Sequence, residues 1–189
     1  MLRPFLISLA VAAITSQAAA QQNSRSGAYG MFADMANGFL NIQSQYGANI
    51  VSTTLESALK RSRDSARAES HMIPEDVQEA LVPFFPQELL NAVRYSVGDT
   101  SPDGLAGFAI RNGNAAAVTL IDTVVFKDEG YVRNIALWAH ELHHVEQYLE
   151  WGVAGFSTRY AFGWQNVEAE ATARAKDFVA WYKKRTGQL

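Results

Sequence analysis

Hydrophobic residues recur along this chain with two different periods. Tyr131, Ile135, Trp138, Leu142, Val145 and Leu149 fall at three- and four-residue steps, with no Gly or Pro between Tyr131 and Trp151. That pattern predicts an amphipathic helix, with Gly152 as its C-cap. Val167, Ala171, Ala175, Phe178 and Trp181 or Tyr182 mark the buried stripe of a second long helix, Asn166 to Arg185. Its last turn carries Lys183, Lys184 and Arg185, which suit the negative end of the helix dipole. Phe156 to Phe162, before Gly163, reads as a short helix or loop. Upstream the period shortens. Arg94 to Val97 and Phe108 to Ile110 read as strands, and Arg111 to Asn114 as a tight turn. Ala117 to Phe126 is rich in β-branched residues. A small antiparallel sheet just before the first long helix is expected. Pro74 opens a short helix after Ile73, Pro83 and Pro86 bracket Phe84-Phe85, and Gln87 to Val93 reads as another short helix.

The N-terminal third is different. Arg3, the apolar run Phe5 to Ile14 and Ala18-Ala19-Ala20 have the order of a secretory signal, residues 1–20, cleaved before Gln21. The run is too short for a confident membrane span, so no stable span is expected after cleavage. Phe32, Met35, Phe39, Ile42, Tyr46, Ile50, Leu55 and Leu59 then give a helical arm, residues 21–70, ending in the charged stretch Lys60 to Glu69. The arm reads as one or two packing helices, or more sharply as a pro-segment over an active site. The expected fold is α+β and mainly helical, with residues 71–189 as the main domain.

Composition narrows the function. The chain has 189 residues, 48% hydrophobic and 11% aromatic, enough for one domain with a real core. The net charge is −3; removing residues 1–20 deletes Arg3 and makes it one unit more negative. No basic patch stands out, which argues against a nucleic-acid partner. With no cysteine there is no disulfide, thiolate nucleophile, Cys-ligated metal or lipoprotein anchor. The mature protein is expected to be exported, periplasmic or secreted.

The first long helix carries the chemistry. His140, Glu141 and His144 form H-E-x-x-H. Residues advance about 100° each, so His140 and His144 share a face and can aim two imidazoles at one metal ion. Glu141 is offset to the side, where a carboxylate can act as general base on a metal-activated water. His143 offers an alternative i, i+3 pair with His140, but the His144 pairing leaves Glu141 in the base position. His71 is isolated and reads as a surface or hydrogen-bonded residue. A third ligand must be His, Asp or Glu. Glu168 and Glu170 on the last helix stand ~200° apart, so one faces the metal; Glu168 is chosen because Ala171 and Ala175 continue its face. His140, His144 and Glu168 are thus the expected Zn²⁺ ligands and Glu141 the catalytic base. Tyr160, Arg159 and Tyr148 are candidate oxyanion donors, with Tyr160 preferred because it lies between the two metal-binding helices.

His140-Glu-Leu-His-His-Val-Glu-Gln147 resembles the H-E-L-x-H-V-x-Q pattern of the extracellular contractile injection system core domain, an H-E-x-x-H metallopeptidase-like family. Ala117-Val-Thr119 and Val124-Val-Phe126 look like its strand leading into the helix. Glu168-Ala-Glu-Ala171 is similar to its E-x-E-A segment and to the E-x-x-A-D of gluzincin peptidases. The resemblance covers roughly Ile73 to Lys176. It implies a zincin-like domain over 71–189, zinc as cofactor and a peptide or protein substrate. Where gluzincins often carry Asp after the alanine, this chain has Thr172, which lacks the charge of that outer partner of a zinc histidine. Beside a zinc endopeptidase, two other classes are therefore weighed: a non-hydrolytic zinc protein serving as an envelope or secreted interaction module, and a helical structural protein without metal.

Overall fold

The computed structural model describes residues 48–98 and 115–187. The proposed signal, the helical pattern from Phe32 to Tyr46, the strand at Phe108 to Ile110 and the turn at Arg111 to Asn114 lie outside the described residues. The elements in chain order are α1 (Ala48–Ala68), β1 (His71–Met72), α2 (Glu75–Leu81), α3 (Gln87–Ala92), β2 (Arg94–Val97), β3 (Ala117–Leu120), β4 (Thr123–Phe126), a 3₁₀ turn (Glu129–Tyr131) and α4 (Ile135–Thr186). The α+β, mainly helical architecture read from the sequence is present.

The four strands lie in the order β1-β2-β4-β3. Both the β1–β2 and β3–β4 pairs are antiparallel, but β2 and β4 run parallel, Arg94 opposite Thr123 and Val97 opposite Phe126. The sheet is therefore mixed, not wholly antiparallel. Ala117 to Phe126 is a hairpin, closed at Ile121-Asp122. Asp122 is held from α1, its Oδ2 3.1 Å from Arg67 Nη1. Ile121 takes a φ of 62°, a conformation that a β-branched residue rarely adopts.

Side chains alternate across β4 and so join two cores. Val124 and Phe126 pack with Leu81, Phe85, Trp138 and Phe178. Val125 packs on the other side with Leu55, Tyr148, Phe156 and Trp164. Because β4 is covered on both faces, its four residues are all buried, as the run Val124-Val-Phe126 suggests. In α1, Leu55, Leu59 and Ala66 form the buried stripe. The helix packs on the second core, so the part of the arm that is described belongs to the same body as the sheet.

The helix α4 is three helical segments joined at two glycines. It starts one turn later than Tyr131, because the Asn134 side chain caps it by accepting from the Leu137 amide at 3.0 Å. Trp138 pins the first segment to the sheet. Its indole is fully buried, 4.8 Å from the Phe126 ring centre, and donates to the Val132 carbonyl at 2.7 Å. At Gly152 the backbone leaves the helix with φ 68° and ψ 166°, and it breaks again at Gly163. The expected stop at Gly152 is thus a corner, and residues 153–162 form the short helix that carries Tyr160.

That corner turns the chain back, so that residues 164–186 pass beside residues 135–151. A residue with a Cβ is essentially excluded from the Gly152 conformation. Nothing lies within 4 Å of a Cβ built there, so the strain of a substitution is entirely in the backbone. Gly152→Ala is expected to destabilise the fold by about 1–3 kcal/mol, read as a lower urea midpoint with an unchanged slope. An unchanged midpoint would mean that the corner relaxes without cost. Among the described residues no helix is long and apolar enough to cross a membrane.

Candidate metal centre

The first segment of α4 presents His140 and His144 one turn apart, and the Gly152 and Gly163 corners return Glu168 to face them. His144 Nε2 lies 3.2 Å from His140 Nε2 and 3.4 Å from Glu168 Oε1, and His140 Nε2 lies 3.2 Å from Glu168 Oε2. Among the described residues these three form a group that can hold a metal ion. The spacing suits a small cation, since donors about 2.0–2.1 Å from a tetrahedral ion stand about 3.3–3.4 Å apart. A neutral-imidazole and carboxylate set with no thiolate fits zinc well.

Two of the three candidate ligands are held from behind. His144 Nδ1–H donates to Gln147 Oε1 at 2.8 Å. Gln147 Nε2 donates in turn to Glu170 Oε2 at 2.9 Å and to the Val167 carbonyl at 3.3 Å. The Tyr160 hydroxyl donates to Glu168 Oε1 at 3.0 Å. Thr119, on β3, donates to Glu141 Oε2 at 2.7 Å, which fixes a carboxylate that is only 4% exposed.

Of the residues expected from the sequence, His140, His144, Glu168, Glu141 and Tyr160 all line one cleft of about 750 Å³. His143 points elsewhere: its Nδ1 bonds Glu146 Oε2 at 2.9 Å, and Arg174 joins the same carboxylate at 3.2 Å. Among the candidate oxyanion donors, Arg159 stacks 4.4 Å over the Trp151 ring. Tyr148 lines the cleft, and Tyr160 reaches the ligand group itself. Glu170, set aside as a ligand, proves to be the acceptor behind Gln147. Thr172 lines the cleft and contributes no charge. Thr119 and Gln147 support the site without being among its expected ligands or acid–base groups, although both stand in the segments that carry the resemblance. Gln147 could have been found from the sequence, since it lies three residues beyond His144 on the same helix face.

The electrostatics follow from this crowding. Burial by itself would lower the His144 pKa, but the Glu168 carboxylate outweighs it, with help from Glu141 and Gln147, and raises it to about 9. Burial would raise Glu168, but His144 and His140 outweigh it and hold that carboxyl well below the usual range. Burial and the neighbouring Glu168 push the Tyr160 phenol well above its usual value, so it stays a neutral donor.

In chelated protein these shifts set a pH window. His144 titrates higher folded than unfolded, so its contribution to stability is complete below pH 6.5 and is lost as pH rises through about 9. Glu168 titrates lower when folded, so its contribution is present above pH 4.5 and fades in acid. The thermal midpoint of chelated protein is expected to fall between pH 6.5 and 9. A cation competes with those protons, so with zinc present the fall should vanish or reverse. A midpoint flat across this range in chelated protein would show that the pair is not charged as described.

Residues 72–152 match the family model described as the eCIS core domain. The match runs from β1 to the Gly152 corner, so it includes His140, Glu141 and His144 but not Glu168. No curated protein and no solved structure matches the chain.

Proposed function

We propose that this protein is an exported zinc-dependent metallopeptidase that hydrolyses peptide bonds. One observation carries the reading: two imidazole nitrogens 3.2 Å apart, each 3.2–3.4 Å from an oxygen of the Glu168 carboxylate, at the wall of a cleft that also contains Glu141 and the strand β3. Export rests on the signal-like residues 1–20.

His140, His144 and Glu168 would hold the ion, and bound zinc would supply Lewis acidity that lowers the pKa of a coordinated water towards ~7 and polarises a carbonyl. The protein's own residues do the rest. Glu141 takes the proton from the attacking water and passes it to the departing amine. Thr119 keeps the Glu141 carboxylate oriented while the proton moves. Among the described residues β3 pairs only with β4, and it lines the cleft. Its other edge can align an extended peptide through backbone hydrogen bonds. Tyr160 is neutral and donates to Glu168 Oε1; turned from that carboxylate, its single O–H is the donor at hand for the developing oxyanion.

The reading is tested by metal content and hydrolysis together. Purified protein is expected to hold about one zinc per chain and to cleave an unfolded protein substrate such as casein. Chelation should stop cleavage and zinc should restore it. No metal after zinc is offered would sink the proposal. Metal without cleavage would favour the second reading, a non-hydrolytic zinc protein that binds partners through the cleft. The uncharged Thr172 beside the site is the observation on that side.

A further inference from the structure

The cleft continues well past the ligand group. After Glu168, the residues of α4 that line it include Thr172, Lys176, Val179 and Lys183. Steps of four, four, three and four keep them within a stripe about 100° wide on one helix face. At 1.5 Å per residue, Lys176 lies about 12 Å and Lys183 about 22 Å along the axis from Glu168. Both lysines are exposed. Among the described residues the cleft's acidic lining is Glu141 and Glu168 alone, both engaged at the site. In a chain with 19 acidic and 16 basic residues, this arm of the cleft is cationic. Its floor is apolar, formed by Leu137, Ala175 and Val179. Lys184 and Arg185 complement the helix dipole as well as Lys183 does, yet neither lines the cleft. The dipole therefore accounts for Lys183 but not for Lys176, which lies nearly three turns before the helix end.

The direction of β3 orients a bound chain. Thr119 bonds Glu141 at 2.7 Å, and the Ile121 backbone, just past the end of β3, lies beside the Tyr148 hydroxyl. β3 therefore runs in the same sense as the first segment of α4, from the end nearer Leu137, which shares the cleft with Lys183, towards the aromatic arm at Tyr148. A peptide paired antiparallel to β3 runs the other way and lays its C-terminal side along the lysines.

We propose that this cleft selects peptides with acidic side chains on the C-terminal side of the residue at the metal centre. At about 3.4 Å per extended residue, the first acid falls three to four residues away and the second six to seven. The position of the cleaved bond rests on the peptidase reading; the binding preference does not.

The test uses full-length protein carrying Glu141→Gln, so that bound peptide is not turned over. Three fluorescein-labelled peptides share an apolar N-terminal or C-terminal half and differ in charge: glutamates in the C-terminal half, lysines there instead, or glutamates in the N-terminal half. Anisotropy should show the first binding about five- to tenfold tighter than either other at low salt, an advantage that shrinks in 0.5 M NaCl. Adding Lys176→Glu and Lys183→Glu should invert the glutamate-over-lysine preference, and Lys184→Glu should leave it. Equal binding of all three peptides, or an unmoved preference in the double variant, overturns the inference. If wild-type protein hydrolyses nothing but the preference holds, the peptidase reading falls and this one stands. If it hydrolyses glutamate and lysine peptides alike, the reverse is true.

Discussion

Glu141→Gln is expected to lower kcat/KM for peptide hydrolysis by about 10²- to 10⁴-fold, the usual scale for losing a general base, while about one metal ion per chain stays bound. The two results come apart because Glu141 is not among the three residues that converge. Its Oε2 is taken by Thr119 at 2.7 Å, and the ligand atoms belong to His140, His144 and Glu168. Glutamine keeps the size of the side chain and can still accept from Thr119, so the buried pocket need not rearrange. What it loses is the ability to take a proton. His144→Ala makes the opposite cut. It removes a ligand and should abolish both metal and hydrolysis, leaving Glu141 in place with nothing to act on. Elemental mass spectrometry and a peptidase assay on the two variants separate base from ligand. Full hydrolysis by Glu141→Gln would mean that another group takes the proton.

Much of this site was legible in the sequence because its parts are local. The i, i+4 spacing of His140 and His144 is a property of any helix, and the periodicity from Tyr131 to Leu149 established that helix independently. The 200° separation of Glu168 and Glu170 puts only one of them beside His140 and His144, and the other accepts from Gln147. Pairing His140 with His144 leaves Glu141 in the base position and His143 out of the ligand group, and His143 bonds Glu146 instead. The illegible parts are those that depend on how distant segments meet. The parallel pairing of β2 with β4 cannot be read from either strand, since each is only four residues long. Leu55 and Leu59 were legible as a packing stripe, but nothing in α1 says that the stripe helps line the cleft. Gln147 is legible by its place one turn beyond His144, but its partners Val167 and Glu170 are not, since they lie 20 and 23 residues on, beyond two helix breaks. Those breaks were readable as glycines, but the return of the chain was not.

Gln147→Leu is expected to weaken zinc affinity by about 10- to 100-fold, the usual cost of losing an outer partner of a metal histidine. The reason lies in which way the amide faces. Gln147 is 1% exposed, and its two N–H groups are committed to acceptors on the last segment of α4, Glu170 Oε2 and the Val167 carbonyl. Its oxygen must then face His144, where it accepts from Nδ1–H at 2.8 Å. That assigns the ring's proton to Nδ1 and leaves the Nε2 lone pair directed at the point shared with His140 and Glu168. Leucine fills the space but gives His144 no acceptor, so the ring is free to choose the wrong tautomer or to rotate. Glu170→Gln retains an acceptor for the amide and should cost less than Gln147→Leu; Glu170→Ala should fall between. Competition for zinc against a chromophoric chelator gives the affinities, and nitrogen-15 chemical shifts of His144 give the tautomer in each variant. If Gln147→Leu binds zinc as tightly as the parent chain, with His144 still protonated at Nδ1, orientation comes from packing alone. The Gln147–Glu170 bond would then serve only to join the first and last segments of α4.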